Sequence, residues 1–475
     1  MTIWWVRRDL RLGDNAALAA AVARGGPVVP LFVVDPALAG GIHAVADKRR
    51  AFLWRGLDAL DRSLRARGSR LVVRHGAPEV VVPDVAREVG AHEAIAEEDY
   101  SPYARRRDAA VSHRLPLELT AGLTVHPPRA VLSSDHRPYL VFSPFRRAWL
   151  ALGVPTRGQL IDAPHTLAPF PPIASEPIPS APASLDFPAG EDEAARRLAR
   201  FAAGVRAPIR RYDETRNRVD QAGTSALSPY LRFGMLSASQ AVAAAVEAGA
   251  DPRDTRGGSG PDVWLSELVW REFYLAVLWH FPSVLRRAFD RSLRHVPWRD
   301  SASDLAAWQA GRTGYPIVDA GMRQLAASGW MHNRARMIVA SFLTKDLLLD
   351  WRLGEAWFMR HLVDGDPAAN NGGWQWTAGT GTDAAPYFRV FNPVLQAKKF
   401  DPEGAYVRHW VPELVRVPAR FVHEPWTMSP LEQHAAGCVI GRDYPAPIVD
   451  RAASRARALA AYAASRQRHQ TDASP

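Results

Sequence analysis

The sequence predicts an α/β N-terminal domain on a parallel sheet, followed by an all-α C-terminal domain. Three observations lead there. Short β-branched runs alternate with helical patterns over residues 1–130, as in sheets whose strands are joined by crossover helices. Eight prolines, at 164, 169, 171, 172, 177, 179, 182 and 188, then fall in a stretch without periodic apolar residues. From about Glu191 onward, apolar residues recur at the 3.6-residue spacing of helices. A chain of 475 residues also exceeds what one hydrophobic core usually organises.

Taken in order, "TIWWV" (Thr2 to Val6), "VVPLFVVD" (Val28 to Asp35), "RLVVRHG" (Arg70 to Gly76) and "EAIAEEDY" (Glu93 to Tyr100) are the strand candidates. Between the second and third, Phe52, Leu53, Leu57, Leu60 and Leu64 lie at helical spacing. No G-x-G-x-x-G follows the first strand, so a dinucleotide held in the Rossmann manner is not indicated there. The prolines read as an extended connection over the surface. Beyond it, "EDEAARRLARFAAGV", "SASQAVAAAVEAG", "DVWLSELVWREFYLAVLWHF" and "NRARMIVASFLTKDLLLDW" are the helix candidates. The expected boundaries are 1–130 for the α/β domain, 131–195 for the linker and 196–475 for the helical domain. No fixed repeat argues for a solenoid.

Composition narrows the function classes. No apolar run reaches the ~20 residues that span a bilayer. Asp9 and Asp14 follow Arg7 and Arg8 where a signal peptide needs an apolar core, so the start reads as the opening strand of a cytoplasmic protein. Cys438 is the only cysteine, which excludes an internal disulfide and a thiolate metal cluster; its plain reading is an inert small residue. The formal charge of +10 suits a polyanionic partner. It is a weak pointer, because the basic residues are nearly all arginine, as a GC-biased coding sequence would produce.

Hydrolytic and metal signatures are missing. His92 and Glu93 start an H-E-x-x-H pattern that fails at Ala96, and there is neither a G-x-S-x-G elbow nor a Walker loop. No metal site is expected. Polar residues do stand on apolar helices: Trp264, Glu267, Trp270 or Arg271, and Tyr274 share one face, as do Asn333, Arg336, Met337 and Ala340. Such faces could line a pocket for a flat, heteroatom-rich ring. The same spacing pairs Glu267 with Arg271 at i+4 and leaves the aromatics as core, and the pattern alone favours that simpler account. Sixteen tryptophans shift the balance. Trp is a poor generic core filler because its indole must find a partner, and a series of buried indoles can relay single electrons. "NNGGWQW", from Asn370 to Trp376, raises the same question, since its small residues predict irregular backbone under large aromatic side chains.

The motifs "GWMHNRARMIVASFLTKDLLLDWR", "DGDPAANNGGWQWTAGTGTDAAPYFRVFNP" and "GTSALSPYLRFG" resemble the photolyase/cryptochrome family, and within it class I cyclobutane pyrimidine dimer photolyases. The resemblance runs from "WWVRRDLRLGDN" to "DYPAPIVD". It implies a Rossmann-like α/β antenna-binding domain and a helical domain holding a folded FAD. Tyr212, Thr224, Ser225, Ala226, Leu227 and Ser228 match its phosphate and ribose region, and hydroxyls and backbone N–H groups opening a helix suit phosphate. Trp264, Arg271, Arg336, Asp364, Gly365 and Asp366 match positions around the flavin, ribityl and adenine parts. Asn370 matches the residue facing flavin N5, and the "NNGG" backbone would bend tightly around the cofactor. Trp298, Trp351 and Trp374 match a relay that reduces the flavin.

By the same resemblance Glu267, Asn333 and Met337 line the dimer pocket, with Trp270 and Trp376 as its opposite walls. Arg216, Arg334 and Gln396 match positions near the DNA backbone. The implied partner is UV-damaged DNA, double- or single-stranded, acted on by a monomer. Folate-binding members carry Glu where this chain has Ala104, and Cys-Lys where it has Leu285 and Arg286. A deazaflavin or flavin mononucleotide near Arg49 is therefore favoured over folate as a second, antenna chromophore. The rival readings are a blue-light receptor, against which Asn370 and the short tail after Asp450 speak, and a (6-4) photolyase, which lacks its catalytic histidine pair here. A flavin-less DNA-binding module is the rival from another class.

Overall fold

The computed structural model describes residues 1–39, 47–180, 186–254, 258–386 and 388–472. They form two compact units: Met1–Glu214 with Thr224–Pro282 and Val363–Ala368, and Thr215–Gly223 with Ser283–Leu362 and Ala369–Pro475.

The first unit is built on a five-stranded parallel sheet in the order β3-β2-β1-β4-β5. β1 (Thr2–Val6) is buried along its whole length and β2 (Val28–Val34) nearly so, as strands covered on both faces must be. β2, β3 (Val72–His75) and β4 (Ala94–Glu97) are shorter than the runs predicted for them, so Asp35, Gly76 and Glu98–Tyr100 belong to the loops at the strand ends. β5 (Leu117–Thr120) was not among the strand candidates. It is an edge strand whose side chains are exposed or half-buried, so it carries no long apolar run to betray it. Pro30 sits in β2 opposite Trp4, but β3 pairs only from Leu31 onward; its missing N–H therefore costs no ladder bond on that side.

Helices fill the crossovers. Asp47–Arg65 buries Phe52, Leu57, Leu60 and Leu64. Asn15 starts Ala16–Ala23 by accepting from the Leu18 N–H. The span 131–195 contains a helix, Phe142–Ala151, ahead of the proline-rich stretch. That stretch has no helix or strand from 160 to 180, and it is not free of the sheet: Glu176 N–H donates to the Val73 carbonyl and Val73 N–H to the Ser175 hydroxyl. It thus covers the open edge of β3. Pro182 lies outside the described residues. The unit's longest helix, Gly260–His280, opens with a capping box between Ser259 and Asp262.

The second unit is helical. Trp308, Tyr315, Phe342, Trp351, Phe358, Trp374 and Cys438 share one core. The Asn333–Ser341 helix runs into a π turn, Phe342–Asp346, that buries Lys345 and Asp346.

One expectation is overturned here. Asn370 to Gly373 are not irregular backbone; they lie inside a helix, Pro367–Ala378. Gly in a helix interior costs about 1 kcal/mol relative to Ala, and tertiary bonds offset it. Asn371 donates to the Val284 carbonyl at 3.0 Å and to Glu355 at 2.9 Å, and Gln375 donates to the Val284 carbonyl at 2.9 Å. Engaged with other elements, these amides cannot compete with the helix for its own backbone. The tight bend comes later, at Gly379 (φ 79°) and Asp383 (φ 45°).

Candidate functional site

In the first unit, Ala226 adopts the left-handed region (φ 49°) and Leu227 follows in the right-handed one (φ −90°, ψ −3°). A left-handed Ala is strained, and alternating hands turn successive N–H groups toward one side, which makes an anion-binding concavity. Thr224 and Ser225 are half-buried and Ser228 is exposed at the start of the Ser228–Phe233 helix. Phe201 links two other predicted cofactor residues, with its ring 5.8 Å from Tyr212 and 5.2 Å from the buried Trp264.

Asp364, Gly365 and Asp366 meet a group of arginines. Arg8 pairs with Asp366 at 2.7 Å, and Arg232 donates to the Gly365 carbonyl at 2.8 Å. A Cβ on Gly365 would enter the Arg49 guanidinium, 2.7 Å from its Cζ, so any larger residue would displace that side chain. Burial pushes Arg49 down to about 10, against the opposing pull of Asp364 and Asp366. Burial and the Arg8 charge bring Arg232 to about 9. Asp366 also caps the following helix through the Ala368 N–H at 2.9 Å.

The 260–280 helix carries Glu267, Trp270 and Arg271. Arg271 does not serve as an i+4 clamp. Its guanidinium donates to the Leu123 carbonyl at 2.9 Å and the Leu231 carbonyl at 3.4 Å. A buried acid of this helix, Glu272, was missed by sequence reasoning; it accepts from Trp149 Nε1 and the Val125 N–H, both at 2.6 Å. Glu267 is half-buried. Trp270 stacks on Phe142 with centroids 3.8 Å apart and planes within 6°, which fixes the orientation of the indole. Nothing in the pattern around Phe142 marked it as Trp270's partner.

In the second unit, His332 Nδ1 accepts the Arg334 N–H at 3.1 Å and so starts the Asn333–Ser341 helix. Burial, with the charges of Arg334 and Arg336, pushes His332 down to about 4, so it is neutral. Asn333 is exposed and Met337 half-buried, one turn apart. Arg334 donates to Asn217 at 2.6 Å and lies over the Phe400 ring at 4.6 Å, while Arg336 donates to the Met331 carbonyl at 2.8 Å. Arg216 and Trp376 are half-buried. The Gln396 Oε1 is buried without a hydrogen bond among the described residues.

Asn370 is buried, and its Nδ2 donates to the Glu355 carbonyl at 3.0 Å. That bond leaves Oδ1 as the acceptor able to meet another donor. Trp351 and Trp374 are both buried in the shared core, and Trp298 packs at its margin against Tyr462, 5.8 Å away edge to face. The Trp374 Nε1 is buried without a hydrogen bond among the described residues. Trp308, fully buried and 6.1 Å from Trp374, was missed because no motif flags it.

In the first unit the concavity at Ala226 suits the phosphates of a dinucleotide, and in the second the Oδ1 of Asn370 can accept from a donor. Among the described residues, no helix is long and apolar enough to cross a membrane. Residues 2–168 match the family described as DNA photolyase, and residues 264–464 match the FAD binding domain of DNA photolyase. The deoxyribodipyrimidine photo-lyase of Synechococcus is 42% identical over 94% of this chain and 93% of that one. The chain is also similar to the crystal structure of a class III photolyase from Agrobacterium tumefaciens (38% identity, TM-score 0.90, 98% of both chains). A cryptochrome of Synechocystis is similar at 31% identity and TM-score 0.88, over 97% of this chain and 98% of that one. By fold, by motif and by near full-length identity, the chain belongs to the DNA photolyase family.

Proposed function

We propose that this chain repairs cyclobutane pyrimidine dimers in UV-damaged DNA, using light and a bound reduced FAD. The observation that carries the reading is Asn370, whose Nδ2 is committed to the Glu355 carbonyl so that its Oδ1 can accept from flavin N5–H. The bound flavin would supply one electron to the dimer on excitation and take it back after the ring splits. The protein's own residues bind, orient and tune. Tyr212, Thr224, Ser225, Ala226, Leu227 and Ser228 would hold the phosphate and ribose region, and Trp264, Arg271, Arg336, Asp364, Gly365 and Asp366 the rest of the cofactor.

Trp374, Trp351 and Trp298 would pass electrons inward to the flavin. An indole N–H with no acceptor among the described residues, as at Trp374, favours that role, since a hole there keeps its proton and can move on. Glu267, Asn333 and Met337 would meet the dimer between Trp270 and Trp376. Photolyases take their lesion out of the base stack, and Arg216, Arg334 and Gln396 would hold the DNA backbone, where phosphate contacts supply most of the affinity. The class I assignment rests on these motif positions, and the domain boundaries 1–130, 131–195 and 196–475 go with it. A deazaflavin or flavin mononucleotide near Arg49 is the proposed antenna, because Ala104, Leu285 and Arg286 stand where folate contacts would be.

The test is light-dependent repair of an oligonucleotide with one thymine dimer, beside the same oligonucleotide carrying a (6-4) lesion. Repair of the dimer alone is expected. A yellow protein that repairs neither would refute repair in favour of a light receptor, and a colourless one would refute the flavin reading.

A further inference from the structure

Glu355 has no part in the reading above, yet it touches Asn370 through its main chain and, through its side chain, the next residue. Its carbonyl accepts from Asn370 Nδ2 at 3.0 Å, and its carboxylate accepts from Asn371 Nδ2 at 2.9 Å. Asn371 Oδ1 accepts in turn from Gln375 Nε2 at 3.1 Å, and Gln375 Oε1 from the Phe289 N–H at 2.9 Å. A buried amide ladder therefore runs from the carboxylate along one face of the 367–378 helix. Among the described residues Glu355 forms no ion pair.

The charged groups around it are few. Its own helix brings Asp350, which raises its pKa, and Arg352, which lowers it; those two are paired with each other at 2.5 Å. The Pro367–Ala378 helix packed against it carries no charged residue. The 283–289 segment turns the Val284 carbonyl to Asn371 and the Arg286 carbonyl to Arg352 at the surface, and its own charged residues, Arg286 and Arg287, are exposed. A carboxylate placed so resists a second negative charge nearby.

We propose that Glu355 is a positioning and charge-compensating residue of the flavin site, taking up one proton when the flavin beside Asn370 becomes its reduced anion. The inference rests on the proposed placement of Asn370 at the flavin. Burial brings the Glu355 carboxyl up to about 7, so its proton is exchanged near neutral pH. In the step tested, one electron passes from dithionite, through redox mediators, to the half-reduced flavin. One proton passes from a hydronium ion or buffer acid to the Glu355 carboxylate: that acid's bond to the proton breaks and a carboxyl O–H bond forms. Near neutral pH the flavin takes up no proton of its own in this step, so a pH dependence reports the protein.

The experiment is a mediated titration of the full-length FAD-loaded protein at several pH values from 7 to 8.5, followed by absorbance. In the wild type the equilibrium constant of this step should fall toward tenfold per pH unit, about 59 mV for a one-electron couple. In Glu355→Gln, which keeps an acceptor for Asn371, it should be flat. Asn371→Ala removes a donor that favours the ionised acid and should move the dependence to higher pH. Infrared difference spectra should gain a protonated-carboxyl band on reduction in the wild type and lack it in Glu355→Gln. A flat wild type, or an equal slope and band in Glu355→Gln, overturns the proposal while leaving dimer repair and FAD binding intact. Failure to bind FAD at all would overturn the functional reading instead.

Discussion

Gly354 offers a sharp test of how the tryptophan core is built. It lies within the Trp351–His361 helix, where Ala would ordinarily be preferred by about 1 kcal/mol. Here a Cβ would stand 2.5 and 2.6 Å from two ring carbons of Trp374 and nearer still to a third. Ordinary contacts begin near 3.4 Å, so the indole or the helix must give by about an ångström, and overpacking of that kind costs about 1–3 kcal/mol or more. Trp374 has little room to yield, because Phe358 stands 5.0 Å and Trp308 6.1 Å from its ring. The clash should therefore outweigh the propensity gain, leaving Gly354→Ala up to about 2 kcal/mol less stable. Urea unfolding followed by far-UV circular dichroism, together with the rate of flavin photoreduction on one preparation, gives both readouts. Lower stability and slower photoreduction are expected. A variant as stable as wild type with unchanged photoreduction would refute the wedging of Trp374 against this helix.

Other outcomes follow from the same geometry. Trp298→Phe should stop photoreduction but leave repair intact once dithionite has reduced the flavin; wild-type photoreduction rates would remove Trp298 from the relay. Glu267→Gln should fold, bind FAD and bind the lesion nearly normally while repairing fewer dimers per photon, because a hydrogen bond is lost where charge develops. A destabilised variant with full repair per bound dimer would count against that role. His332 is held neutral by burial, its pKa lowered to about 4. The unfolded chain binds that proton below about 6.5, so the contribution is present at pH 7 and is lost as pH falls from there toward 4. Between pH 7 and 5 this group should remove about 2 kcal/mol of stability. His332→Asn keeps the N-cap acceptor and should lessen that loss; an equal acid sensitivity in the variant would refute it.

Much of this protein was written locally. Strands β1 to β4 were legible because strands buried on both faces need uninterrupted β-branched and aromatic runs, and "TIWWV" and "VVPLFVV" have them. The helices from Glu191 onward announced themselves by apolar period, and the folded chain closes the start of one of them with the Ser259–Asp262 capping box. Motifs contiguous in sequence, "GTSALS" and "DGDPAANNGGW", identified the family. What escaped depended on partners distant along the chain. β5 is a half-exposed edge, so no apolar run marks it. The "NNGG" segment has weak local propensity for helix, and Val284 and Glu355 supply the acceptors that engage its amides. Arg271 was free by spacing to pair with Glu267, but carbonyls at Leu123 and Leu231 claim its donors. The stacking of Phe142 on Trp270 joins residues 128 positions apart. Local sequence sets which backbone conformations are inexpensive; only the folded chain decides which polar groups find each other, and those meetings orient the site.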